Sequence, residues 1–156
     1  MPTIGKYNAA IYRNIQSILN HKLQDLSISS GQHDFLYVIS KFEGITSKEL
    51  SERLYVGKST TAKAVKNLMI NGYIRKEKDQ NDKRCDHLFL TDKGKEIAPR
   101  IQKTFIELRD LTADSLSTEE VNQTITNLQK VLGSLYQEKV KLYKEGNAFG
   151  EQTVRG

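Results

Sequence analysis

The sequence predicts a mainly α-helical chain interrupted once by a small β-hairpin, and three observations predict it. Apolar residues recur at steps of three and four over long stretches at both ends. Two capping boxes, Thr46–Glu49 and Ser117–Glu120, mark helix starts, because the hydroxyl accepts from the amide three residues on while the carboxylate reaches back. Between them, Tyr73–Glu77 and Asp86–Leu90 read as two short strands around a loop, Lys78–Cys85, that is too charged to be core. A chain of 156 residues has the size of one structural domain.

The first helix is expected from about Thr3 to Leu26, with Ile4, Tyr7, Ile11, Ile15, Ile18, Leu19, Lys22 or Leu23, and Leu26 near a heptad seam. That apolar face is wider than a small domain usually covers, so it is expected to pack between subunits or against the C-terminal helices. Ser27–Gly31 breaks the pattern, and Gln32–Phe42 supplies Phe35, Leu36, Val38, Ile39 and Phe42 as the floor of the central region. After Thr46, Leu50 and Leu54 share a face. Val56-Gly57 is expected to make the break, since glycine accepts the positive backbone angles of a tight turn.

A second helix runs from Lys58 or Ser59 to Asn71, with Gly72 as the residue just past its end. Ala62, Val65, Leu68 and Met69 form its expected buried stripe, and Ser59, Thr60, Lys63, Lys66 and Asn67 its opposite face. Beyond the hairpin, Thr91 caps a helix carrying Ile97, Ile101, Phe105, Leu108 and Leu111, in which Pro99 predicts a bend or irregularity. The helix opened by Ser117 places Val121, Ile125, Leu128, Val131, Leu132, Leu135 and Tyr136 on its buried side and fades after Leu142. The expected divisions are a dimerisation helix (1–30), a central region (31–92), C-terminal dimerisation helices (93–145) and a frayed tail (146–156).

Helix, turn, helix and charged hairpin, in that order, suit duplex DNA, and the charge distribution agrees. Lys58, Lys63, Lys66, Arg75, Lys76, Lys78, Lys83 and Arg84 stand against Glu77, Asp79 and Asp82, so eight cations and three acids leave +5 between Lys58 and Arg84. The whole chain is also +5, so the remainder is balanced. Excess confined in this way is what phosphate binding requires. Ser59, Thr60 and Thr61 at a helix N-terminus can donate to phosphate or touch base edges, and Lys58, Lys63 and Lys66 can meet phosphates or guanine acceptors. Ser47 and Lys48 start the preceding helix and are placed for backbone contacts. In extended chain Asp82 and Arg84 leave the same face, so the carboxylate can aim the guanidinium, with Lys83 beside it, at a minor groove.

Together these residues resemble a family. Asp79-x-x-Asp82-Lys83-Arg84 followed by Leu88-x-Leu90-Thr91-x-x-Gly94 is similar to the wing of MarR-type transcriptional regulators. Leu50-x-x-x-Leu54, Lys58-Ser59-Thr60-Thr61, Leu68 and Gly72-Tyr73-Ile74-x-Lys76 are similar to that family's helix-turn-helix. Lys63 stands where many members have arginine, and Lys83 replaces the first of a common arginine pair; an ammonium lacks the planar fork that reads guanine bidentately. The resemblance implies a winged helix-turn-helix domain with a helical dimerisation region. It also implies a homodimer on a pseudo-palindromic duplex operator, acting as a repressor relieved by a small phenolic or anionic effector. Tyr12, Arg13, His33 and Tyr37 are the polar and aromatic candidates on the helices that should border an effector pocket.

Other chemistry finds less support. No P-loop, G-x-S-x-G, dinucleotide glycine motif or spaced serine–histidine–acid set occurs, so no enzyme and no cofactor is expected. His21, His33 and His87 form no metal-ligand spacing with each other or with Cys85, and surface histidines are the expected account. The single cysteine excludes an intrachain disulfide and fits a reducing cytoplasm; the N-terminus lacks a secretory core and no run approaches a membrane span. Two alternatives to an effector-relieved DNA binder remain. One is a thiol sensor, with Lys83 and Arg84 favouring a Cys85 thiolate. The other is a winged module that binds protein in place of DNA.

Overall fold

The computed structural model describes residues 1–154, with side-chain surroundings described through residue 146. Its elements, in chain order, are α1 (Ile4–Lys22), α2 (His33–Lys41), β1 (Ile45–Thr46), α3 (Ser47–Leu54), α4 (Lys58–Ile70), β2 (Ile74–Lys78), β3 (Asp86–Leu90), α5 (Asp92–Ala113) and α6 (Thr118–Val154). The expected mainly helical chain with one small β element is what is found. β3 is central in an antiparallel sheet of order β1-β3-β2, pairing Ile74 with Leu90 and Lys78 with Asp86 on one side and Ile45 with Leu88 on the other. The two-residue β1 was not expected, because it exists only through its pairing with β3, which is distant in sequence. Among the described residues no helix is long and apolar enough to cross a membrane.

The chain forms two compact units, Met1–Arg109 and Asp110–Gly156. In the first, the core gathers Leu19 within the last turn of α1 and Leu23 just after it with Leu36 and Ile39 of α2, Leu50 of α3, Leu68 of α4, Leu88 of β3 and Ile101 of α5. Each is at most 1% exposed. This floor, built from every neighbouring element, sets the tilt of α4 and the hairpin.

Helix starts follow local chemistry. The Thr3 hydroxyl accepts from the Lys6 amide. Both boxes close: Thr46 with Glu49 at 3.2 and 2.9 Å, and Ser117 with Glu120 at 3.2 and 2.8 Å. Thr91 accepts from the Gly94 amide at 3.1 Å and donates to the Gly72 carbonyl, joining the start of α5 to the end of α4.

Four expectations need correction. α1 ends at Lys22, four residues short of Leu26, where the Leu26 amide turns back to Leu23. The left-handed residue after α3 is Tyr55, at φ 54°, whereas Gly57 is extended at φ −73° and serves as the N-cap of α4. α5 continues as one helix through Pro99, so the missing amide does not break it. α6 continues to Val154, past the expected tail boundary, with no proline in the segment to interrupt it; residues 155–156 lie outside the described residues.

The apolar seams expected on the end helices are present but largely uncovered. Ile4, Tyr7 and Ile11 of α1 are 55–59% exposed. On α6, Ile125, Leu128, Leu132, Leu135 and Tyr136, expected on the buried side, are 37–65% exposed. Leu111 of α5 is exposed as well, while Ala98 and Thr104 join Ile101 and Leu108 as buried positions.

Candidate nucleic-acid interface

The helix pair α3–α4 and the hairpin β2–β3 carry the site. Gly72 ends α4 at φ 79°, as expected of the position after a helix. The Lys93 ammonium reaches back from α5 to the Asn71 carbonyl at 2.7 Å, placing a cation at the negative end of α4.

The buried stripe of α4 is Thr61, Ala64, Val65 and Leu68, spaced as one helical face. It is rotated from the expected Ala62, Val65, Leu68 and Met69. Thr61 is therefore not available to DNA: it is 1% exposed, its hydroxyl lies 2.7 Å from Ser51 Oγ, and it donates to the Gly57 carbonyl at 3.2 Å. It ties the two helices of the motif together. A threonine satisfies its hydroxyl on its own helix and buries its methyl, so polarity alone assigned it to the wrong face.

The outward face keeps Lys58, Ser59, Thr60, Lys63 and Lys66, all exposed. Lys48 is exposed and Ser47 half-buried at the N-terminus of α3. Ser47, Lys48, Lys58, Ala62, Lys66 and Lys76 line one groove of about 620 Å³, with Met69 and Ile70 on its wall. Ala62, Met69 and Ile70 were missed as members of this surface. The burial of Ala64 with Val65 and Leu68 would have shown the rotation.

Charge on the hairpin divides into two groups. Arg75 pairs with Glu77 and lies 4.9 Å over the Phe89 ring, while Lys76 and Lys78 reach Asp86 at 4.0 and 3.9 Å. Among the described residues, Lys48, Lys58, Lys63, Lys66 and Lys83 make no ion pair, so their charge faces outward.

The loop is built by two aspartates. Asp79 Oδ1 accepts from the amides of Asn81 and Asp82 at 2.8 and 2.9 Å, and Asp82 Oδ1 accepts from the amide and Nε of Arg84 at 3.1 and 3.3 Å. The expected carboxylate–guanidinium contact exists, but in a turn and not in extended chain. Arg84 stays 93% exposed at the tip. Beyond its place in the motif and the charge balance, Asp79 forms an Asx turn that shapes the loop, a role the sequence reading missed.

His87 lies where the loop meets the sheet. Nδ1 is 2.6 Å from the Gly44 carbonyl and Nε2 is 2.7 Å from Asp79 Oδ2. The Asp79 contact and the Gly44 carbonyl raise the imidazole above its ordinary range. The His87 ring and the two loop amides hold the Asp79 carboxyl down at about 2. Surface placement was expected for all three histidines and holds for His21 alone: His87 is half-buried and His33 is 2% exposed.

With this geometry in place, comparison with known proteins is decisive. The MarR family model matches residues 24–84, the helix-turn-helix and the hairpin loop. The HTH-type transcriptional regulator YybA of Bacillus subtilis (strain 168) is 30% identical over 137 residues, covering 88% of this chain and 91% of the relative. The chain belongs to the MarR family.

MarR-family structures superpose over nearly the full length. A MarR-family transcriptional regulator from Listeria monocytogenes, complexed with 26mer DNA, is 28% identical with a TM-score of 0.82, covering 92% of this chain and 96% of that one. FabT of Streptococcus pneumoniae, also in complex with DNA, is 28% identical with a TM-score of 0.69, covering 85% and 96%. As a MarR-family member the protein is a transcriptional regulator with a winged helix-turn-helix fold.

The positions considered for an effector are scattered in character. Tyr12 and Arg13 are exposed on α1. Tyr37 stacks on Phe105 with ring centroids 4.4 Å apart, and His33 is buried with Nδ1 unpartnered, desolvation lowering its basicity. None lines the groove at α4 or the second cavity of about 400 Å³ formed by Phe42, Ile45, Glu49, Glu52 and Arg53. Cys85 is half-buried in the loop. Desolvation first, then the charges of Asp79, Asp82, Asp86 and Glu49, raise its thiol, so the expected thiolate promotion by Lys83 and Arg84 is overturned. Among the described residues no group of three or more His, Cys, Asp or Glu side chains forms a metal-binding set.

Proposed function

We propose that this MarR-family regulator is a cytoplasmic homodimer that binds a pseudo-palindromic duplex operator and represses transcription until a small phenolic or anionic effector binds. One observation carries the DNA-binding part: Lys48, Lys58 and Lys66 surround one groove beside α4 without ion pairs, while the acids of the hairpin are spent on Arg75, Lys76, Lys78, His87 and Arg84. The free positive charge is thereby concentrated around the reading helix. Ser59, Thr60 and Lys63 enter the major groove, Lys58 and Lys66 meet phosphates or guanine edges, Ser47 and Lys48 touch backbone, and Lys83 and Arg84 reach the adjacent minor groove, with Asp82 aiming Arg84.

The dimer reading is supported by the uncovered apolar faces of α1 and α6, which a second copy can bury against itself. Two copies of α4 would then stand about one DNA turn apart, roughly 34 Å. A labelled fragment from upstream of the protein's own reading frame, titrated by fluorescence anisotropy, tests the proposal. Submicromolar binding that weakens steeply with salt is expected, with Arg84→Ala costing about 1–3 kcal/mol. Sedimentation should give a dimer at micromolar concentration. A monomer, or indifference to duplex DNA at low salt, overturns the reading.

A further inference from the structure

His87 faces two groups that can only accept hydrogen bonds. The Gly44 carbonyl has no hydrogen to give, so Nδ1 must donate to it. Asp79, with its carboxyl held at about 2, is an acceptor throughout the physiological range, so Nε2 must donate as well. A neutral imidazole has a single N–H; only the imidazolium satisfies both partners.

The surroundings agree. Glu77 of β2 and Thr46 of β1 are the pairing partners of His87 across the sheet, Asp86 precedes it on β3, Asp79 faces it from the loop, and the Glu49 carboxylate acts on it from α3. Lys76 and Lys78 are turned to Asp86. From the ring, hydrogen bonds run through Asp79 to the Asp82 amide, and from the Asp82 carboxylate to Arg84.

We propose that His87 is a positioning residue for DNA binding: its doubly protonated ring ties the hairpin loop to the α2–β1 turn, and loss of one proton releases Asp79 and with it the placement of Arg84. The proposal rests on the DNA-binding reading above. On deprotonation the ring keeps one N–H, and the other nitrogen turns a lone pair toward the Asp79 carboxylate or the Gly44 carbonyl. In the limit that only the tied loop binds, affinity falls roughly tenfold per pH unit above the His87 midpoint.

Asp79→Asn separates this role from a structural one. Its side-chain oxygen can still accept from the loop amides while its NH₂ donates to a neutral Nε2, so the loop stays tied without the extra proton. The experiment measures affinity of the full-length wild type, Asp79→Asn and His87→Gln for one duplex, selected by the wild type from a randomised pool at about pH 6. Titrations run from about pH 5.5 to 8.5 at constant ionic strength, alongside ¹⁵N NMR of the His87 ring. The expected results are an imidazolium at about pH 6 with affinity falling as it titrates in wild type, a flat profile with retained affinity in Asp79→Asn, and a flat, weaker one in His87→Gln. His21 and His33 remain in both variants, so pH effects of their making persist. A neutral ring at about pH 6, or one common profile for wild type and Asp79→Asn, overturns the proposal. Absence of duplex binding by all three proteins at every pH instead sinks the DNA-binding reading beneath it.

Discussion

Gly94 in the first turn of α5 decides how closely that helix approaches the start of the hairpin. A Cβ placed there would lie 2.1 Å from the Tyr73 carbonyl oxygen, 3.1 Å from its carbon and 3.3 Å from Leu90 Cδ2. Two effects of Gly94→Ala oppose each other. Alanine favours helix by about 0.5–1 kcal/mol. Against this, backbone must separate by about 0.9 Å to reach even 3.0 Å, because a carbonyl oxygen has no flexible end to swing away. Overpacking of this kind costs about 1–3 kcal/mol, occasionally more. The Tyr73 carbonyl also accepts from the Thr91 amide at 3.1 Å, and loss of that bond adds about 1 kcal/mol. The clash outweighs propensity, and a net loss of about 2–3 kcal/mol is expected. Urea denaturation of both proteins at one concentration, with m-values compared, measures it. Stability within about 0.5 kcal/mol of wild type, or a gain, would refute the argument from close approach.

Thr61→Val should lower stability by about 1–3 kcal/mol, because Ser51 loses its buried partner, while leaving duplex affinity of the folded protein nearly unchanged; Thr60→Ala should do the reverse, with stability within about 0.5 kcal/mol. Lys66→Ala should weaken all duplex sequences alike and reduce the slope of log affinity against log salt by about 1, read by anisotropy at several salt concentrations. Leu50→Ala, at a fully buried position, should cost about 2–5 kcal/mol in the same denaturation assay. The His87–Asp79 pair stabilises the fold in a defined window. Raised basicity makes the histidine contribution complete below about pH 6.5 and lost as pH rises through its folded value, while the Asp79 contribution is complete above about pH 4 and lost as pH falls through about 2. The melting-temperature gap between wild type and His87→Gln should therefore be widest between those limits, and a gap independent of pH would count against the pair.

What could be read from the residues alone is what depends on neighbours along the chain. Thr46 with Glu49 and Ser117 with Glu120 close hydrogen bonds within one helical turn, so their meaning survives without tertiary context. The same is true of Gly72 ending α4 and of the cations gathered between Lys58 and Arg84. Even Asp82 meets Arg84 as expected, since the two are only two residues apart.

Tertiary structure decided the matters in which partners come from far along the chain. Whether Thr61 faces DNA or Ser51 depends on how α4 rolls against α3, and a residue that is part methyl and part hydroxyl suits either surroundings. β1 is a strand only because β3 lies beside it, and Gly94 is demanded by a carbonyl twenty-one residues earlier. His87 looks like an ordinary strand histidine until Gly44 and Asp79 arrive from both sides; the sequence supplies its ring, and only folding brings two acceptors against it that require a second proton.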